Sequence, residues 1–361
     1  MHLAINATEI GRQRGGNESY LRGLVEGLLS LATQVRVTLL ATPTGADWCA
    51  ERAGATSSIV DIGPYRRVPF HFWQQAAILR RVKPDWYLST FFLPPVISCR
   101  AAVLVHDMSF RAHPEYFPSH IAWYMRILTG AAIRRADRVI ALSQFTEREV
   151  LRFHPEAQHR TVVVYPGVGA EFALTDDDEV DQRVLDRMGI PSGYIFALGN
   201  IHPRKNLSRL LDAYLALKSG GEAVPPMLWA GLPRWDSGHL LQRARSAGVI
   251  LPGFVPQEDL PAIYRQAAMM VYPSIYEGFG LPPLEAMACG TPVIVSDTTS
   301  LPEAVGDAAL LVDPTDAQAI GAAITQILRD DSLRLRLRRA GLERARDLTW
   351  ARTARLLLSS L

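Results

Sequence analysis

In the stretch YEGFGLPPLEAMACGTPVIVSD (276–297) two carboxylates, Glu277 and Glu285, stand eight positions apart across a turn rich in glycine and proline. The preceding run MMVYPS reads as a strand, so Glu277 lies just past a strand's carboxyl end. Gly278 and Gly280 let a ligand approach the main chain closely. Pro282 and Pro283 suit the first turn of a helix, where a missing N–H costs nothing. Glu285 is expected within that first turn, and Gly290 is a good stop before the next strand. Both carboxylates then point into one crevice beside open N–H groups. A carboxylate accepts paired hydrogen bonds from vicinal hydroxyls, so Glu285 is placed to hold a ribose and Glu277 the hydroxyls of a sugar. The competing reading is a helix-capping Glu285 and a surface Glu277.

Three further stretches have the same strand-then-turn form. GNIHPRKN (199–206) puts Arg204 and Lys205 beyond the strand YIFAL and before a helix that Asn206 could cap. Two cations beside helix N–H groups suit a diphosphate; two solvated loop cations are the alternative. RQRGGNESYL (12–21) sets Gly15 and Gly16 between the first strand and a helix, as in a phosphate-cradling turn or a simple one. It is not a G-x-G-x-x-G fingerprint. VLVHDMSF ends an apolar strand on His106 and Asp107, where a histidine reaches a ligand or serves the structure.

The elements that must position these residues come in two series. MHLAINAT, VRVTLLAT, SSIVDIG, DWYLST, AAVLVHD, RVIALS and TVVVYPG are short strands, several apolar throughout as parallel strands covered on both faces are. Helical stripes lie between them, such as Tyr20, Leu21, Leu24, Val25, Leu28 and Leu29, or the segment after Ser119, a candidate cap. Residues 173–193 are acidic and turn-rich and read as a linker or domain entry, with Asp176, Asp177 and Asp178 a solvated run rather than a metal site. The alternation then resumes through YIFALGN, PMLWAG, VILPGF, MMVYPS, PVIVSD and ALLVDP. The expected fold is α/β, with doubly wound domains over 1–172 and 173–345 and a terminal helix over 346–361 packing back toward the first. Ligands of such sheets bind beyond the carboxyl ends of the strands, which makes the cleft between two such domains the expected active site.

Composition narrows the classes. The net charge is +2, but residues 1–170 carry 19 Lys and Arg against 13 Asp and Glu, whereas residues 171–361 carry 19 against 23. A basic first half favours an anionic ligand, an anionic membrane surface or the other half. No dense basic run interleaved with aromatics suggests nucleic acid. Phe70, Phe72 and Trp73 after Arg66 and Arg67 suit either a membrane surface or a buried helix start. Three dispersed cysteines form no disulfide framework or zinc pattern. No apolar run spans a bilayer and the N-terminus does not read as a signal peptide, so a cytoplasmic location is expected.

Taken together, GGNESYL, the HD at 106–107, ALSQFT, VVYPGV, GNIHPRKN, LPGFVPQEDLPAIY and the E-x7-E of EGFGLPPLE make the chain resemble the retaining glycosyltransferases of family 4. The resemblance covers nearly the whole length. It implies the GT-B architecture, two Rossmann-like domains facing a central cleft, the first for the acceptor and the second for a nucleotide-diphosphate sugar. It implies Glu285 as the ribose ligand, Glu277 on the donor sugar near its anomeric carbon, and backbone contacts from Gly278, Phe279, Gly280 and Leu281. Arg204 and Lys205 would bind the diphosphate, Gly15 and Gly16 the distal phosphate, Val255 the base, and His106 the transferred sugar. Many relatives have arginine where this chain has Asn200, a charge that Arg204 could replace. The family implies no metal and no cofactor besides the donor. GDP-mannose is favoured as donor, with UDP-glucose or UDP-N-acetylglucosamine the alternative, and a glycan or lipid-linked acceptor is expected, with possible peripheral membrane contact through the N-terminal domain. A silent nucleotide-sugar sensor on the same fold and a hydrolase or phosphorylase are the rival functions.

Overall fold

A computed structural model describes residues 1–12, 15–31, 35–54, 56–175, 177–233 and 237–361, with Arg67 described by its backbone alone. The chain divides into two units, Met1–Gly167 with Thr349–Leu361, and Val168–Leu348.

The first unit is built on seven strands: β1 (His2–Asn6), β2 (Arg36–Ala41), β3 (Ser57–Asp61), β4 (Trp86–Thr90), β5 (Arg100–Val105), β6 (Arg138–Ala141) and β7 (Thr161–Val163). They are all parallel, in the order β3-β2-β1-β4-β5-β6-β7. β1 is central, with Ile5 opposite Leu39 on one side and Leu88 on the other, and all five of its residues are buried. That double covering explains why its sequence reads as continuous rather than alternating. The helix Gly16–Ser30 lays Tyr20, Leu21, Leu24, Val25 and Leu28 into the unit. Its Gly23 and Gly27 admit the helix Trp350–Ser360 at close range: a Cβ on Gly23 would lie 1.9 Å from Trp350 Cε2, and one on Gly27 2.3 Å from the Trp350 carbonyl oxygen. Ser119 is the first helical residue and Pro118 takes the cap position, so the expected serine cap is not formed.

The second unit repeats the plan with β8 (Tyr194–Leu198), β9 (Met227–Ala230), β10 (Ile250–Gly253), β11 (Ala267–Tyr272), β12 (Val293–Ser296) and β13 (Leu310–Val312). The strands are again parallel, in the order β10-β9-β8-β11-β12-β13. Ile195, Ala197, Met269 and Val271 pack beneath Leu210, Tyr214, Ile320 and Ile324 of the covering helices. The acidic stretch opens the second unit as structure rather than as a bare linker. Asp177 caps the helix Asp178–Met188, and Asp181 within it is buried in a two-pronged pair with Arg265, at 2.6 and 2.8 Å. Asp176 lies outside the described residues. Among the described residues no helix is long and apolar enough to cross a membrane.

In both sheets the chain winds outward from a central strand in one direction, then returns to wind in the other. The reversal lies between β1 and β4 in the first unit and between β8 and β11 in the second. At such a point two adjacent strands send their following loops to opposite sides and leave a crevice at their carboxyl ends.

Candidate active site

The second unit's crevice collects the charged residues singled out above. Beyond β8, a short 3-10 turn over Pro203–Lys205 presents Arg204 and Lys205. Beyond β11 come Pro273, Ser274 and the loop that carries Glu277. The two loops are stitched together: the Ile275 N–H donates to the Arg204 carbonyl at 2.7 Å. Asn206 does not cap the following helix with its side chain. Its backbone is left-handed (φ 58°), and its Nδ2 instead donates to the carbonyls of Pro273 at 3.1 Å and Pro314 at 2.6 Å.

Glu277 is 6% exposed. Its Oε1 accepts from Lys205 Nζ at 2.7 Å, and Arg204 Nη1 stands 3.8 Å from its Oε2. Burial alone would raise this carboxyl; the Lys205 and Arg204 charges outweigh burial and bring it down to about 2. Lys205 Nζ also donates to the Tyr272 hydroxyl at the end of β11. Burial and the Glu277 charge hold that phenol well above its ordinary value, so it stays neutral.

The backbone from Glu277 to Gly280 is fastened by a Thr-Thr-Ser loop after β12. Ser300 Oγ donates to the carbonyls of Glu277 at 2.8 Å and Phe279 at 3.0 Å, and the Glu277 N–H donates to Thr299 Oγ1 at 3.3 Å. Gly280 precedes the helix Leu281–Ala288 at φ 118°, where a Cβ would lie 2.7 Å from Leu301 Cδ2. Only glycine fits that backbone without strain. Pro282 and Pro283 do occupy the first turn, but Glu285 is the fifth residue of the helix, opening its second turn.

Glu285 is 7% exposed and receives the Tyr264 hydroxyl on Oε2 at 2.8 Å. Its environment is the reverse of that around Glu277. Burial raises the carboxyl to about 7, the Tyr264 hydrogen bond opposing and the Glu171 charge adding. One glutamate is thus a fixed anion between cations, and the other is a proton-sensitive carboxyl with one oxygen engaged by a phenol. The Tyr272 hydroxyl feels both charges. Val255 is buried just beyond β10.

The remaining candidates belong to the first unit. His106 directly follows β5, is 8% exposed, and meets Tyr20 edge-on at 5.1 Å and Phe91 at 5.6 Å. Asp107 accepts from the Ser109 N–H and hydroxyl, at 2.9 and 2.6 Å, and so shapes the turn after the strand. Gly15 is the cap of the helix Gly16–Ser30 at φ 79°, and a Cβ on Gly16 would meet no atom within 4 Å. Gln13 and Arg14 lie outside the described residues. Among the described residues no cluster of three or more histidine, cysteine or acidic side chains could hold a metal.

Tyr264, Tyr272, Glu171 and the loop 298–300 were not anticipated. The Thr-Thr-Ser directly after the strand PVIVSD was a usable signal, because small hydroxyl residues there can clip a neighbouring loop. A tyrosine at the end of the otherwise aliphatic run MMVY was another.

Residues 191–344 match the family model described as glycosyl transferases group 1, and residues 14–172 match that described as glycosyltransferase family 4. The chain is 37% identical over 286 residues to O-antigen chain mannosyltransferase B of Escherichia coli, spanning 78% of this chain and 74% of that one. It is 35% identical over 267 residues to the serotype-specific mannosyltransferase WbdA of Escherichia coli, covering 71% of this chain but only 32% of that longer protein. It is 33% identical over 331 residues to a D-inositol 3-phosphate glycosyltransferase of Salinispora arenicola, covering 86% and 72%. In fold it matches the sucrose-phosphate synthase of Thermosynechococcus elongatus at TM-score 0.75 and 22% identity, over 99% of this chain and 98% of that one. It matches the Anabaena HepE protein in complex with UDP-glucose at TM-score 0.75 and 17% identity, over 100% of each chain. The chain therefore belongs to the glycosyltransferases of family 4, with the GT-B fold.

Proposed function

We propose that this glycosyltransferase moves mannose, with retention at the anomeric carbon and without a metal, from GDP-mannose to a hydroxyl of a glycan or lipid-linked acceptor. The mannosyltransferase relatives support the sugar. The observation that carries the reading is the cluster of Lys205, Arg204, Glu277 and Tyr272 at the strand reversal of the second sheet. Lys205 and Arg204 bind the diphosphate and offset the charge that builds on it as the bond to the anomeric carbon breaks. Glu277 holds sugar hydroxyls. As an anion committed to two cations it is a poor covalent nucleophile, which favours attack from the face the diphosphate leaves. The acceptor oxygen bonds to the anomeric carbon while its proton passes to the departing phosphate oxygen. Glu285 takes the ribose hydroxyls, Val255 meets the base, and the backbone of Gly278, Phe279, Gly280 and Leu281 lines sugar and phosphate. In the first unit, His106 contacts saccharide, and Gly15 and Gly16 contact phosphate.

A thermal-shift screen with GDP-mannose, UDP-glucose and UDP-N-acetylglucosamine tests the donor, since a ligand that binds only the folded state raises the melting temperature. Stabilisation by a UDP-sugar and not by GDP-mannose would overturn that choice. Proton NMR of the product distinguishes retention from inversion. Glu285→Ala should weaken donor binding, whereas Lys205→Ala should lower turnover by about 10²–10³; unchanged donor affinity in the first variant would refute the ribose assignment. Donor binding without turnover for any acceptor would favour a sensor.

We also propose peripheral attachment to the inner face of the membrane. Val68 and Trp73 are 52% and 66% exposed, and the sequence over residues 62–84 contains Arg66, Arg67, Arg80, Arg81 and Lys83 but no acidic residue. Sedimentation with phosphatidylglycerol vesicles, set against phosphatidylcholine vesicles, should show binding that Trp73→Ala reduces; equal behaviour of the two lipids would refute an electrostatic contribution.

A further inference from the structure

Lys205 is held in an unusual way for a cation on a loop. Its side chain is 11% exposed, and its stem passes so near Gly199 that a Cβ there would stand 2.9 Å from Lys205 Cε. Its ammonium is 2.7 Å from Glu277 Oε1 and 4.4 Å from the Tyr272 ring centroid, and it donates to the Tyr272 hydroxyl. Tyr272 therefore accepts from the same ammonium that grips Glu277. It can do so because it is the last residue of β11, whose Met270 pairs with Phe196 of β8, the strand that launches the lysine's loop. The phenol is buried and neutral, so it contributes direction rather than charge.

We infer that Tyr272 is a positioning residue for the transfer reaction: it fixes the Lys205 ammonium, which also bonds the Glu277 carboxylate, and so aims the lysine at the leaving diphosphate. The inference rests on the diphosphate role proposed for Lys205. An ammonium tied to the glutamate alone keeps more rotamers; one tied to a strand-borne hydroxyl as well has fewer, and its field is already oriented when charge develops.

The test is a double-mutant cycle on the full chain, following GDP release from GDP-mannose. Tyr272→Phe keeps the ring and removes the hydroxyl. It should lower kcat about 10-fold while changing the KM for GDP-mannose less than about 3-fold, as expected for one hydrogen bond to a charged group. In the Lys205→Ala background the same change should alter kcat less than about 2-fold, because the group it positions is gone. GDP affinity by calorimetry and the melting temperature report whether the unit remains folded. An unchanged kcat for Tyr272→Phe, or the same loss with and without Lys205, overturns the positioning role. A Lys205→Ala variant with full turnover overturns the diphosphate assignment itself, and is a different result.

Discussion

Glu277 and Glu285 sit eight residues apart and are displaced in opposite directions from their ordinary value, so removing their charges should move stability in opposite directions. Glutamine keeps the shape and an accepting oxygen at each position. The Glu277 carboxyl lies at about 2, below its ordinary 4.5. Its contribution is present above pH 4.5 and is lost as the pH falls toward 2. At about 1.36 kcal/mol per pH unit this interval is worth about 3 kcal/mol, which Glu277→Gln forfeits near neutral pH. The Glu285 carboxyl lies at about 7, above 4.5. Here the fold is best served below pH 4.5 and loses stability as the pH rises to 7, again by about 3 kcal/mol, which Glu285→Gln restores above pH 7. For a unit the size of Val168–Leu348, 3 kcal/mol corresponds to about 6–12 °C in the melting midpoint. Scanning calorimetry at pH 8 should find Glu277→Gln below the parent and Glu285→Gln above it. At pH 4.5 the advantage of Glu285→Gln should largely vanish. Two midpoints moving the same way at pH 8, or an advantage that persists in acid, would refute the electrostatic reading of both carboxyls. If it holds, Glu285 is a residue kept at a cost to stability.

Gly280→Ala forces a Cβ to 2.7 Å from Leu301 Cδ2 on a backbone with φ 118°; the midpoint should fall by about 1–3 kcal/mol equivalent, and GDP-mannose affinity, measured by calorimetry, should fall with it. Arg265→Ala strands Asp181, whose side chain is 1% exposed, without its two-pronged partner, and urea titration should register a loss of about 3–5 kcal/mol. Gly23→Ala collides with the Trp350 indole. It should cost about 1–3 kcal/mol by overpacking and make residues 349–361 newly sensitive to limited proteolysis.

The two sheets were legible because their strands are buried on both faces and read as short apolar runs between turns. The loops that carry Lys205 and Glu277 were legible for the same reason, since each begins where a strand ends. What could not be read was which loops meet. Lys205 and Tyr272 are 67 positions apart and join only because β8 and β11 are neighbours while β9 and β10 lie on the other side. Asn206 looked like a helix cap, as asparagine before a helical run should. Its left-handed backbone redirects the amide to Pro273 and Pro314, a long-range demand that outweighs the local one. Asp181 falls in the stretch that read as a linker or domain entry, and only the approach of Arg265 from another helix offsets the cost of its burial.

The packing of the helix Trp350–Ser360 against Gly23 and Gly27 has a consequence for biosynthesis. The first unit is discontinuous, with the whole of Val168–Leu348 nested between its two pieces. On the ribosome its sheet emerges early, yet the groove over those two glycines stays bare until residues 349–361 have been made. The nested unit, contiguous in sequence, can mature in the meantime. Nascent chains halted anywhere within it should carry a first half whose glycine groove is still open, and the closing helix completes that half only after everything between has been translated.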